Sequence, residues 1–395
     1  MEKTEKKMER KRSRRASLSA EQRRKLSMLR TSSIPSPLTP VSHIYHLVPC
    51  PRKDCNQKYV VSTDRSGDIH VHVQGIIPQP NKGDLSQQDK RCVFLTVHDL
   101  GTNHSTMVDF VNSPAMSEIK ERSCFIHVDV PGHEENSPDL PDSYQFPSLQ
   151  TLGEDLITVL DFLHVRYAVG LGEGAGANIL ARCGLAHPRR LLGLILVNCT
   201  ASTSSVADAF RSRFSRWRGA DISQSEEDFL IYHKFGHQIS SDSCEAGEKD
   251  RMLAEYRSRL RGNLNPHNIK QYVRAFINRK DLILRGCQPD ILLITGMLSP
   301  YSTVIEKMYK ELDKERVTIL KVDRAGDVLA ETPAKISQSL LLFCQGQGLL
   351  TSLPAPGVAR RMSRGMSMED YDKPNIRRLS LTPASPAPDS PHRKL

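Results

Sequence analysis

The chain has 395 residues, 38% of them hydrophobic, with 55 Lys or Arg against 45 Asp or Glu and a formal net charge of +10. That length accommodates one large domain with flanking arms, and its longest apolar stretch, near Leu191 to Val197, is far short of a membrane span. The basicity sits in the arms: residues 1–40 carry +8, residues 347–395 carry +4 and residues 41–346 carry −2, so the central part lacks the basic face that nucleic-acid binding requires.

Residues 1–40 are too polar and too rich in Ser and Arg to bury a core, and read as a disordered arm. Arg14-Arg15-Ala16-Ser17 and Arg23-Arg24-Lys25-Leu26-Ser27 place arginine two or three residues before serine, the pattern taken by basophilic kinases, which makes Ser17 and Ser27 candidate phosphorylation sites. Ser36-Pro37 and Thr39-Pro40 suit proline-directed kinases. Lys11 to Arg15 is a candidate nuclear address or polybasic membrane contact. His43, His46, Cys50 and Cys55 follow none of the usual zinc spacings, and no metal or cofactor is expected.

Residues 41–346 read as a mostly parallel, doubly wound α/β sheet with a helical cap at about 200–287. An apolar strand from Val93 to His98 ends in His98-Asp99-Leu100-Gly101, where hydrolases of the α/β class place an oxyanion-hole turn. A second strand, Cys124 to Val130, runs into Pro131-Gly132-His133. Leu149, Leu152, Leu156, Val159, Leu160 and Leu163 recur at helical period. A buried strand from Arg166 to Leu171 and a small-residue helix from Ala175 to Ala186 then flank Gly172-Glu173-Gly174-Ala175-Gly176. That turn has the form of a nucleophile elbow with glycine where the nucleophile belongs, and glycine has no attacking atom. Gly170, Gly172 and Ala175 also match a dinucleotide fingerprint, but no Asp or Glu occurs from Gly174 through Ala207 to hold a ribose.

The other members of a triad should follow in chain order. The acid is expected after the strand Ile291 to Thr295, where the chain has Met297, and the histidine after the strand Arg316 to Val322, where it has Asp327. Gly174, Met297 and Asp327 together read as a degenerate triad. His98 and Asp99, beside the elbow, are candidate binding residues, with turn formation as their simpler role; with His104 they are also the residues an unorthodox hydrolase would use. In the cap, Phe210, Phe214 and Trp217 form an apolar stripe among arginines, read as packing onto the fold with membrane or partner contact as the alternative.

Thr96 to His104, His127 to Gly132, Gly172 to Ala177, Asn263 to Asn268 and Ile277 to Leu282 resemble the N-myc downstream-regulated (NDRG) family over about residues 60–350. The resemblance implies an α/β-hydrolase fold without catalysis and a role in signalling, stress response, differentiation or trafficking. One departure is Met297, where the family tends to keep an aspartate after glycine.

Residues 347–395 read as a second disordered arm, with Ser363, Ser367 and Ser380 each two or three residues past an arginine and with three Ser-Pro or Thr-Pro pairs. Nine cysteines, an odd number scattered through predicted elements, read as reduced buried thiols. The expectation is a cytoplasmic protein, membrane-associated or partly nuclear as alternatives, that acts by binding proteins or anionic membrane surfaces, is regulated by kinases acting on its arms and binds no nucleic acid. The alternatives are an unorthodox hydrolase and a small-molecule receptor using the former substrate pocket.

Overall fold

Runs of apolar residues buried on both faces produce the central strands, as parallel strands between two helical layers require. The computed structural model describes residues 57–78, 80–81, 84–88, 91–202, 222–237 and 246–354. Its main sheet contains β1 (Gln57–Thr63), β2 (Gly67–Gln74), β3 (Cys92–Val97), β4 (Ser123–Asp129), β5 (Ala168–Glu173), β6 (Leu191–Val197), β7 (Asp290–Gly296) and β8 (Val317–Val322). Their spatial order is β1-β2-β4-β3-β5-β6-β7-β8. β2 runs antiparallel to β1 and β4, and every pairing from β4 through β8 is parallel. The fold is thus an α/β-hydrolase fold with a doubly wound sheet. Strand order reverses around β3 and β5, so the carboxyl ends of those two strands open onto the crevice where such sheets place their sites.

The helices are α1 (His104–Asn112), α2 (Ser117–Glu121), α3 (Leu149–Phe162), α4 (Gly174–Ala186), α5 (Gln224–Phe235), α6 (Ala246–Gly262), α7 (Pro266–Ile277), α8 (Ser302–Lys310), α9 (Val328–Glu331) and α10 (Pro333–Gly346). Alternation along the strands divides the core. Val93, Leu95 and Val97 pack with α3, α4 and α8, whereas Cys92 and Phe94 pack with α1, α2 and α10 on the other face.

Observed element ends lie within about two residues of those read from periodicity, as is usual for boundaries. The strand expected from Arg166 starts at Ala168, because the carbonyls of Val165 and Arg166 accept from the Arg190 guanidinium at 3.0 and 2.7 Å. It also runs two residues further, to Glu173, which pairs with Val197. Among the described residues, helices α5 to α7 lie in the interval expected for the cap; the stripe of Phe210, Phe214 and Trp217 lies outside the described residues. The packed chain continues past Gly346: Leu350 and Leu353 are buried beside α10, and Arg122 Nη1 donates to Ser352 Oγ at 2.9 Å. The six described cysteines are free and buried. No described helix is long and apolar enough to cross a membrane.

Candidate functional site

The turn between β5 and α4 is the elbow, and Gly174 holds it with φ +51°, a conformation that a β-carbon disfavours. A second constraint comes from Asp99, in the loop after β3. A β-carbon on Gly174 would lie 2.0 Å from Asp99 Oδ1 and 2.2 Å from its Cγ. The carboxylate therefore occupies the space into which an elbow nucleophile would project. Its Oδ1 accepts from the Ala175 N–H at 2.8 Å. That N–H, on the residue after the nucleophile position, is the one hydrolases of this fold turn toward a reacting oxyanion.

The cap supplies the partner of Asp99. His233, near the end of α5, donates from Nε2 to Asp99 Oδ2 at 2.9 Å, and its Nδ1 hydrogen-bonds with the Tyr301 hydroxyl. A continuous chain thus runs from Tyr301 through His233 and Asp99 to the elbow. Burial by itself would raise the Asp99 pKa, but His233 and the Ala175 N–H outweigh it and hold the carboxyl at about 2. Above the neighbouring turn, a β-carbon on Gly101 would meet the Tyr256 hydroxyl at 2.6 Å and Leu260 at 3.3 Å, so α6 packs down on the oxyanion-hole loop.

Lys234, the next residue of α5, is also buried. Its ammonium donates to Glu173 Oε1 and Oε2 at 2.6 and 2.7 Å and lies 3.2 Å from Asp327 Oδ2. Burial acts to lower the Lys234 pKa, but the charges of Asp327 and Glu173 prevail and raise it. One ammonium faces several carboxylates in a buried site, and burial, reinforced by Asp327 and Asp99, pushes the Glu173 carboxyl up to about 7 despite Lys234. The end of α5 is anchored where both residues reach inward: Gly236 leaves no room for a β-carbon against Leu298 O, and the His237 N–H donates to that carbonyl at 2.8 Å.

A family model described as the Ndr family matches residues 59–351. The chain belongs to the Ndr family. Among relatives of this Ndr-family protein, Uncharacterized protein ZK1073.1 of Caenorhabditis elegans is 37% identical over 84% of this chain and 96% of its own length. Protein NDRG1-A of Xenopus laevis is 32% identical over 69% of this chain and 68% of its own, and the NDRG-like protein of Dictyostelium discoideum is 32% identical over 67% and 81%. Solved structures that resemble it share the fold at low identity. A thermophilic esterase from Thermogutta terrifontis superposes with a TM-score of 0.55 at 15% identity, covering 74% of this chain and 99% of the esterase. The enol-lactonase from Burkholderia xenovorans LB400 gives 0.55 at 15% identity, covering 73% and 100%.

In this Ndr-family chain the residues singled out from sequence separate. Gly174, Asp99 and Asp327 come together around α5, and Asp327 also caps α9 by accepting from the Ala330 N–H at 3.4 Å. Met297 is turned outward, 42% exposed, and is not part of this cluster. His98 shapes a turn: its Nε2 accepts from the Val130 N–H at 3.1 Å and its Nδ1 hydrogen-bonds with the Asp99 carbonyl at 2.8 Å. Asp99 goes beyond turn formation, since its carboxylate crosses to α4 and α5. Trp217, Ser17, Ser27, Ser363, Ser367 and Ser380 lie outside the described residues, as do His43, His46, Cys50 and Cys55. The histidine of the site, His233, comes from the cap helix α5 and not from the turn after β8, where chain order predicts one. A local signal existed in α5, where His233 and Lys234 are buried among Leu230, Ile231 and Phe235.

A further cluster, His72, His104 and Asp129, brings three metal-ligand side chains together that are distant in the sequence. His104 Nδ1 is 2.7 Å and His72 Nε2 is 3.3 Å from Asp129 Oδ2. The two rings stack with centroids 3.5 Å apart and planes 10° apart, and their facing nitrogens lie on the same side, toward Asp129 Oδ2. His104 is held by hydrogen bonds to Asp129 from its Nδ1 and its backbone N–H, each at 2.7 Å.

Proposed function

We propose that this Ndr-family protein is a non-catalytic member of the α/β-hydrolase fold that acts by binding, in signalling, stress response, differentiation or trafficking. The observation that carries the proposal is the Asp99 carboxylate over Gly174, which takes both the nucleophile's space and the elbow N–H. Both carboxylate oxygens are engaged, one by Ala175 and the other by His233, so Asp99 is no free nucleophile. Partners in this reading are proteins and anionic membrane surfaces, the location is cytoplasmic, and phosphorylation of Ser17, Ser27, Ser363, Ser367 and Ser380 by basophilic kinases reduces the positive charge of the arms.

The test is hydrolysis of simple esters, lactones and epoxides by the purified full chain. The expected rate equals that of buffer. Turnover that disappears in Asp99→Asn and His233→Gln proteins that remain folded would overturn the proposal in favour of an unorthodox hydrolase.

A further inference from the structure

Away from the elbow, a cleft of about 540 Å³ opens between the start of α3, Arg182 on α4 and the carboxyl end of α7. Among the described residues its lining includes Arg182, Arg274, Arg279 and Lys280 and no acidic residue. Two of these cations are buried: Arg182 is 4% and Arg279 6% exposed. Buried guanidinium groups ordinarily meet carboxylates, since an uncompensated charge in the interior costs several kcal/mol. Among the described residues, every hydrogen bond of both goes to an uncharged oxygen.

Arg182 donates to Asn178 Oδ1 and Gln150 Oε1, each at 2.9 Å, and to the Lys280 carbonyl. Arg279 donates to the Phe276 carbonyl at 2.7 Å, to Thr200 Oγ1 at 2.8 Å and, at longer range, to the Thr200 and Ser202 carbonyls, with its guanidinium 3.9 Å above the Phe276 ring. Its Nε is buried without a partner. The pKa of each is lowered by burial, the charge of Asp281 opposing, and both arginines remain cationic at neutral pH. The amino end of α3, capped by Ser148, borders the same cleft and adds the positive end of a helix dipole. Phe146, Leu149 and Ala275 provide apolar wall.

We propose that this cleft is a binding site for a small organic phosphate monoester, its dianion facing Arg182, Arg274, Arg279 and Lys280 and its carbon skeleton lying against Phe146 and Leu149. The volume falls in the range of small-molecule sites, and four cations without an acid suit a dianion better than a monoanion. The site is separate from the Asp99–Gly174 cluster, so it stands or falls independently of the absence of catalysis.

Calorimetric titration of the full chain with glycerol 3-phosphate, inorganic phosphate and uncharged glycerol tests the proposal. Glycerol 3-phosphate should bind, glycerol should not, and Arg274→Gln with Lys280→Gln, both exposed positions, should weaken binding by about tenfold or more. Arg274→Lys should retain much of the affinity. Equal binding by the double variant would assign the phosphate to the basic arms and overturn the proposal, as would the absence of binding to wild type at millimolar ligand. Phosphatidic acid vesicles form the third arm: binding to vesicles that depends on Arg274 and Lys280, without binding of glycerol 3-phosphate, would reject a small-molecule site.

Discussion

The Asp99 carboxylate stands where a side chain on Gly174 would begin, with Oδ1 2.0 Å from the ideal β-carbon position. The glycine is therefore required twice over, by its backbone conformation and by the carboxylate beside it.

Gly174→Ala should destabilise by about 2–4 kcal/mol, combining a left-handed backbone with crowding in a packed site. In an Asp99→Ala background the same change should cost only about 1 kcal/mol, since the backbone term alone remains. Urea midpoints for the four proteins of this cycle measure the coupling. Additive effects would mean that the two residues do not share space.

Gly174→Ser should produce no esterase activity, because the new hydroxyl contends with Asp99 for position and no acid stands at Met297 to orient a base. Steady-state assays of a folded variant decide this. A burst of product would show that the carboxylate moves aside.

Lys234→Met removes the cation shared by Glu173 and Asp327 and should cost about 3–5 kcal/mol. The Glu173 carboxyl, already raised by burial to about 7 from 4.5, binds its proton more tightly in the folded chain than in the unfolded one. Its contribution therefore favours folding as pH falls from about 7 toward 4.5, and the loss in the variant should be smaller at pH 5 than at pH 8. Chemical denaturation at those two pH values is the measurement; a larger loss at the acidic end would contradict the arrangement.

Asp99 has the opposite sign. Its carboxyl, held near 2 against an ordinary 3.8, stabilises the fold above about pH 4 and loses that contribution as pH falls toward 2. The full contribution is about 2 kcal/mol. Asp99→Asn should flatten the acid limb of the stability profile over that interval, and an unchanged limb would show that the His233 contact is absent in solution.

The arms, with charges of +8 and +4, should carry the full chain to anionic vesicles, each basic residue near the surface contributing on the order of 1 kcal/mol at most. Phosphorylation at Ser17, Ser27, Ser363, Ser367 and Ser380, or added salt, should weaken the binding. Co-sedimentation of untreated and kinase-treated full chain compares the two states. Equal pelleting would remove the arms as a charge switch.

The sheet and its elbow were legible in the sequence because they depend on local patterns: apolar runs for buried strands, helical period for α3, and glycines at a turn that tolerates little else. Asp327 stands where chain order predicts a histidine, and in the structure it is an ion-pair partner of Lys234. What one dimension does not show is which side chains meet after the cap folds down. His233 lies 134 residues from Asp99, and Lys234 lies 61 from Glu173, so neither pair leaves a spacing to read. Chain order and hydrophobic period set the secondary structure and the topology, since each element's burial follows from its own residues. The contacts above the elbow were decided only in three dimensions, where α5 brings a histidine and a lysine to carboxylates on β5 and the β3 loop, and burial makes those pairings strong.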